Sequence, residues 1–251
     1  MDTPTLKALI FDVDGTLADT ESVHRAAFNR AFEELGLGWH WDDALYTELL
    51  EISGGKERVL HYWKQQNPDV LAIDAKAVQD TVARIHELKT AYYEDAVHGG
   101  QVELRPGVLA LFEEAARAGV LLAIATTTSP VNIAALLRRA MGPDWRHSFA
   151  AIGDGTTAPQ KKPHPMVYDQ ILQLLRLNPR ECLAFEDSGN GLKAATLAGL
   201  ATIITPTRYT QHHDFSRALH VLPDLGNVHL ADLQRWHRAH WSGERLLSPE
   251  Q

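Results

Sequence analysis

Leu6-Lys7-Ala8-Leu9-Ile10-Phe11-Asp12-Val13-Asp14-Gly15-Thr16 is the stretch on which the reading of this chain turns. Residues 6–11 are nearly all apolar, as expected of a strand buried on both faces of a parallel sheet. The run stops abruptly in a polar turn that carries two carboxylates. Thr20 can then cap a helix from about Val23 to Leu35, in which Ala27, Phe28, Ala31 and Phe32 recur at helical spacing, and Gly36 and Gly38 close it.

Downstream, the region from about Trp39 to Ala96 carries no strand signal and reads as helices near Asp43–Glu51, after Gly54-Gly55 through Gln65, and from Asp74 to about Tyr93. After it the pattern alternates. Pro106-Gly107 opens a helix to Ala118. Val120–Ala125 is a strand that ends in Thr126-Thr127-Thr128-Ser129, with Pro130 suited to a first helical position. Phe149–Ile152, Cys182–Phe185 and Ala201–Thr205 read as further strands, with helices over Pro163–Leu175 and from Asp187 to Ala198. Beyond Pro206 the signals are weak, and Trp236, His237, His240 and Trp241 suggest a partly packed terminal helix. Strand alternating with helix predicts an α/β fold, a doubly wound parallel sheet, interrupted by an inserted α-helical cap domain. The expected division is a core of residues 1–20 and 97–251 and a helical cap of residues 21–96.

The composition fits an ordinary globular protein, with 45% apolar and 22% charged residues among 251. A net charge of −8 without a Lys/Arg stripe argues against nucleic acid, whose binding draws on many cationic contacts to phosphate. The single Cys182 lies in an apolar run and reads as an inert buried thiol in a reducing compartment. No apolar stretch approaches the roughly 20 residues of a membrane span, so a cytoplasmic protein with no membrane partner is expected. A monomer is expected as well.

Ligands of open parallel sheets bind where the strands end and the loops emerge. Four polar clusters meet that condition: Asp12/Asp14, Thr126–Ser129, Lys161/Lys162 and Glu186/Asp187. Three or four carboxylates crowded together repel one another unless a hard divalent cation joins them, and oxygen ligation of this kind suits magnesium. Hydroxyls at a helix start offer N–H groups to a phosphate, and a lysine supplies fixed positive charge. Together the clusters predict phosphoryl transfer. Asp12 is the candidate nucleophile, and Asp14 the candidate acid and base for the leaving oxygen and then for water. His212-His213-Asp214 lacks a further spaced ligand, which speaks against a metal patch there.

Phe11-Asp12-Val13-Asp14-Gly15-Thr16-Leu17, the Thr126 cluster, Lys162-Pro163 and Glu186-Asp187-Ser188 resemble, in order, the four motifs of the haloacid dehalogenase superfamily over roughly residues 6–206. The resemblance implies Asp12 as nucleophile, Asp14 as general acid/base, Thr126 as phosphate ligand and Lys162 as the neutralising lysine. It implies Mg²⁺ held by Asp12, the Asp14 carbonyl and Asp187, with Glu186 nearby. Dehalogenases of the superfamily lack the second aspartate, so Asp14 points to a phosphatase or mutase.

Substrate choice is expected in the cap. Gly54-Gly55-Lys56-Glu57-Arg58 joins a flexible turn to two cations, while His86 and Lys89, and likewise Glu21 and His24, stand three apart on a helix face. A second cationic group suggests a substrate with a second anionic end. The strings Asp19-Thr20-Glu21 through His24, Gly54 to Arg58, Lys89-Thr90, Ala125 to Ser129 and Lys161-Lys162-Pro163 resemble the CbbY branch, whose members hydrolyse xylulose 1,5-bisphosphate, a misfire product that inhibits rubisco. That likeness implies that Glu21, His24, Lys56, Arg58, His86 and Lys89 contact the sugar or its distal phosphate, with Gly55, Thr127 and Thr128 completing the substrate site. The rivals are a β-phosphoglucomutase-like mutase and a non-catalytic phosphosugar-binding protein. In the mutases a cap lysine precedes the glycine of the substrate loop, where Gly54 stands here; against the binder, all four clusters are intact.

Overall fold

The computed structural model describes residues 3–67 and 76–243. Among these, six parallel strands form one sheet: β1 (Ala8–Phe11), β2 (Leu121–Ala125), β3 (Ala151–Gly153), β4 (Cys182–Glu186), β5 (Ala201–Ile204) and β6 (His220–Val221). Their spatial order is β3-β2-β1-β4-β5-β6. The order reverses direction at β1, so the crevice between β1 and β4 is the switch point where an open sheet of this kind binds its ligand. The fold is the α/β, doubly wound arrangement expected from the strand–helix alternation.

Alternation along β1 builds both faces of the core. Leu9 and Phe11 join one apolar cluster, covered by α5 (Val108–Arg117), α6 (Pro130–Met141) and α9 (Leu230–Ser242). Ala8 and Ile10 join the other, covered by α7 (Met166–Leu175) and α8 (Gly189–Leu197). Phe11 stacks on Phe185 at 4.3 Å, which fixes the last residue of β1 against β4 just before the polar turn. Cys182 is buried in β4, and burial pushes its thiol up to about 12, so it stays protonated and inert.

Between β1 and β2 run α1 (Glu21–Glu34), α2 (Asp43–Leu49), α3 (Gly55–Gln66) and α4 (Lys76–His98). They gather round their own aromatic cluster, which contains Phe28, Phe32, Trp41, Tyr46 and Tyr62. Tyr209, from the loop after β5, enters this same cluster with only 2% of its surface exposed.

Some boundaries differ from expectation. The helix expected to begin at Asp74 has that start outside the described residues, and α4 continues past Tyr93 to His98, with Val97 buried in the sheet's core. The helix expected from Pro163 begins at Met166, because His164 precedes a proline and is steered out of helical geometry. The two-residue β6 was not anticipated. Among the described residues, no helix is long and apolar enough to cross a membrane.

Candidate active site

Two strand ends and one loop deliver the acidic pole of the site. Asp12 directly follows β1, and its backbone N–H donates to Phe185 O at 3.0 Å. Glu186 ends β4, and Asp187 follows. Lys162 reaches in from the β3–α7 loop and donates to Asp12 Oδ1 and Glu186 Oε1, both at 2.6 Å, and to Ala125 O at 2.8 Å. Tyr168 donates to the same Glu186 oxygen at 2.5 Å, so Glu186 chiefly holds the lysine in place. Gly15, at φ +82°, takes the backbone so close to Asp187 that a Cβ would lie 2.4 Å from its Oδ2.

The electrostatics show what this pole requires. Oxygens of Asp12, Glu186 and Asp187 lie within 4.8 Å of one another, with one ammonium among them. Burial, with Glu186 and Asp14 adding to it against Lys162, lifts Asp12 to about 8. Burial and the charges of Asp12 and Glu186 raise Asp187 well above the carboxylate range. Carboxylates this poorly neutralised, all oxygen donors at one point, fit a hard divalent cation.

The hydroxyl cluster behaves as its position at a helix start suggests. Thr126 follows β2 and donates its N–H to Gly153 O at 3.1 Å. Ser129 caps α6 by accepting from Asn132 N, and Asn132 Nδ2 donates to Thr128 Oγ1 at 3.0 Å. The N-terminus of α6 therefore faces the acidic pole with Thr126, Thr127 and Thr128 on the cavity wall.

Asp14 is set apart from Asp12. Its Oδ1 accepts from Thr20 Oγ1 at 2.7 Å and lies 2.9 Å from His24 Nε2. Burial alone raises its carboxyl, but His24, Thr20 and the charge of Lys89 outweigh it and hold Asp14 well below the usual carboxylate range. His24 stacks on Tyr93 at 4.2 Å, and its Nδ1 is buried without a partner.

The helical insert supplies the opposite pole. Lys89 is 5% exposed and lies over the rings of Phe28 and Tyr93; burial, offset in part by Asp14 and Glu21, draws it down to about 8. Arg58 donates to the carbonyls of Leu49 (3.0 Å) and Ile52 (3.2 Å) and to Tyr46 Oη, while Tyr46 donates to Glu21 at 2.7 Å. Carbonyls satisfy its N–H groups without cancelling its charge. His86, counted with the cations from sequence, is not one: burial, then Lys89 and Lys56, lower it to about 4, so the ring is neutral at pH 7.

Every site residue expected from the sequence lines this one cavity except Lys56, which is exposed and faces an adjoining hollow beside Lys161. Tyr46, Tyr93, Asn132 and Tyr168 escaped the sequence reading, as did Arg105. The Arg105 guanidinium bonds the Gly15 carbonyl, Thr205 O at 2.6 Å and Pro223 O at 2.8 Å, pinning the turn after Asp14 to the far side of the sheet. Arg105→Ala should cost about 2 kcal/mol of stability in denaturant unfolding, because it strands several carbonyl acceptors at once.

A model of the haloacid dehalogenase-like hydrolases matches residues 6–199. The plasmid CbbY protein of Cupriavidus necator is 52% identical over 224 residues, 88% of this chain and 87% of the relative. In three dimensions the chain is similar to CbbY from Rhodobacter sphaeroides in complex with phosphate, with a TM-score of 0.83 and 42% identity over 91% of this chain and 99% of that one. A mutant of that CbbY in complex with xylulose-(1,5)-bisphosphate matches at TM-score 0.84 and 41% identity, over the same shares. The chain belongs to the haloacid dehalogenase-like hydrolase family, in its CbbY branch.

Proposed function

We propose that this hydrolase is a magnesium-dependent phosphatase of a small phosphorylated sugar, with xylulose 1,5-bisphosphate as substrate and xylulose 5-phosphate and inorganic phosphate as products. The observation that carries the reading is a single cavity with two poles, the Asp12–Lys162–Asp187 group at one and Lys89 with Arg58 at the other. Each pole suits one phosphate of a bisphosphate. The bisphosphate bound by the similar Rhodobacter sphaeroides mutant supports the same choice.

In this reading Lys162 occupies Asp12 Oδ1 and leaves Oδ2 to attack phosphorus. The bond from phosphorus to the sugar oxygen breaks as Asp14 gives that oxygen a proton. A phosphate dianion next to Asp14 raises its proton affinity by like-charge repulsion, which prepares it to donate. Once the sugar leaves, Asp14 is again a carboxylate well below the usual range, and it takes a proton from the water that attacks the aspartyl phosphate. Thr126 and the N–H groups at the start of α6 hold the transferred phosphoryl oxygens throughout. Mg²⁺, held by Asp12, Asp187 and the Asp14 carbonyl beside Glu186, would neutralise the carboxylates and the phosphoryl charge. Helices α1–α4 act as a cap over this pocket, excluding bulk water and reading the sugar.

Phosphate release from a panel with Mg²⁺ tests this. Xylulose 1,5-bisphosphate should release one phosphate per molecule and be preferred over glucose 1-phosphate and phosphoglycolate; equal rates throughout would remove the bisphosphate assignment. Glucose 6-phosphate formed from glucose 1-phosphate without free phosphate would make the chain a mutase. Gly54, at φ +96°, speaks against that, because a lysine there would be strained.

The charge of Lys89 makes a pH prediction. A lysine loses its proton as pH rises, so kcat/KM for the bisphosphate should fall as pH passes about 8. Lys89→Gln should start at least about tenfold lower at pH 7, the worth of one charge-assisted hydrogen bond, and lack this alkaline limb. A wild-type profile unchanged by the substitution would exclude Lys89 from substrate recognition.

A further inference from the structure

Glu51, His212 and His213 place ligand-type atoms within 4.8 Å of one another, with Glu51 from the turn after α2 in the insert and the histidines from the loop after β5. The cluster resembles a transition-metal site, yet a second contact assigns it differently. His213 Nδ1 accepts a hydrogen bond from Gly189 N–H at 3.0 Å. A neutral imidazole that accepts at Nδ1 carries its proton on Nε2, and Nε2 is the atom that stands 2.9 Å from Glu51 Oε1. The protonated Nε2 therefore has no lone pair free for a metal; it touches the carboxylate without completing a hydrogen bond to it.

Glu51 is also held through its backbone. Asn190 Nδ2 donates to Glu51 O at 2.9 Å and lies 3.4 Å from Ser53 Oγ. Two residues of the sheet domain thus converge on one residue of the insert. On the insert side, Glu51 directly precedes the segment with Ser53, Gly54, Gly55 and Arg58, all on the cavity wall. On the sheet side, Gly189 and Asn190 begin α8 immediately after Asp187 and Ser188. The contact ties the substrate-reading wall to the segment that follows the acidic pair.

We infer that Glu51 is a positioning residue: its carboxylate, in contact with the protonated edge of His213 and with its carbonyl held by Asn190, latches the insert closed over the sugar phosphate. The inference rests on the phosphatase reading. The latch is built to release, since 57% of the Glu51 side chain is exposed and a solvated pair of this kind shifts an equilibrium by no more than about fivefold. Tyr209, buried among the insert's aromatics and hydrogen-bonded to Asp43 at 3.0 Å, marks the other end of the same landing loop.

The test compares Glu51→Ala and Glu51→Gln with wild type. Glu51→Ala should raise KM for xylulose 1,5-bisphosphate about threefold to fivefold with kcat little changed, and leave turnover of a small aryl phosphate, which needs no closed insert, as it was. Its amides at residues 51–55 and 189–191 should exchange hydrogen faster, with no change elsewhere. Glu51→Gln keeps an oxygen against the protonated edge of His213 and should restore both readouts. Unchanged KM and unchanged exchange in Glu51→Ala would overturn the latch, as would equal losses on both esters. If wild type released phosphate from neither ester, the phosphatase reading would fall, and the exchange pattern alone would judge whether Glu51 closes the insert.

Discussion

Asp12→Asn is expected to abolish phosphate release while leaving the metal-free protein at least as stable as wild type. The two halves of this result have one cause. Asp12 is 6% exposed, and burial together with Glu186 and Asp14 pushes its carboxyl up to about 8 despite Lys162. The folded state therefore holds a proton on Asp12 that the unfolded chain releases above pH 4, and keeping or charging that group is a cost at pH 7. An amide of the same shape still accepts from Lys162 and avoids the cost. It has no anionic oxygen to attack phosphorus, so kcat should fall at least about 10⁴-fold, on the scale of other lost nucleophiles. Melting with and without Mg²⁺ checks the cause: added Mg²⁺ should stabilise wild type more than the variant, because ligand binding adds to folding stability. A variant that melts well below wild type without metal would show that the Asp12 carboxylate stabilises the fold.

Lys162→Met should have the largest effect on stability. The ammonium is 6% exposed and touches Asp12, Glu186 and Ala125 O. Those acids raise its proton affinity despite its burial, so it stays charged across the neutral range. Removing it leaves buried carboxylates facing one another, a change that costs about 3–5 kcal/mol in comparable buried pairs. The sign of the pH dependence follows. At pH 7 Asp12 and Asp187, both raised, still carry protons and need the lysine less; above about pH 8 Asp12 ionises and the missing ammonium costs most. The loss measured by denaturant unfolding should be smaller at pH 7 than at pH 9, and activity should be lost at both. Equal losses at the two pH values would mean that Lys162 acts by packing alone.

The strands that build the site were legible because each is a short apolar run cut off by a polar turn. Asp12, Thr126 and Glu186 sit at those breaks, and parallel strands place such breaks side by side. What escaped the sequence depended on distance along the chain or on burial. Arg105 recognises backbone carbonyls of residues 15, 205 and 223, which carry no side-chain signal. Tyr209 lies in the weakly patterned stretch beyond Pro206, and its partner Asp43 is 166 residues away. His212 and His213 lacked a third partner in sequence, and the fold supplied Glu51 from the insert. His86 was grouped with the cations by its spacing from Lys89, but spacing does not report desolvation, which keeps the ring neutral. β6, two residues at the sheet edge with half-buried His220, is too short for an alternation pattern to register.

The direct measurement is rapid acid quench of the wild-type protein turning over xylulose 1,5-bisphosphate with Mg²⁺, followed by borohydride trapping and peptide mass analysis. Phosphoryl transfer to the first carboxylate of the turn predicts modification confined to the peptide containing Asp12 and absent from Asp12→Asn. Modification of another residue, or sustained phosphate release by Asp12→Asn, would contradict it.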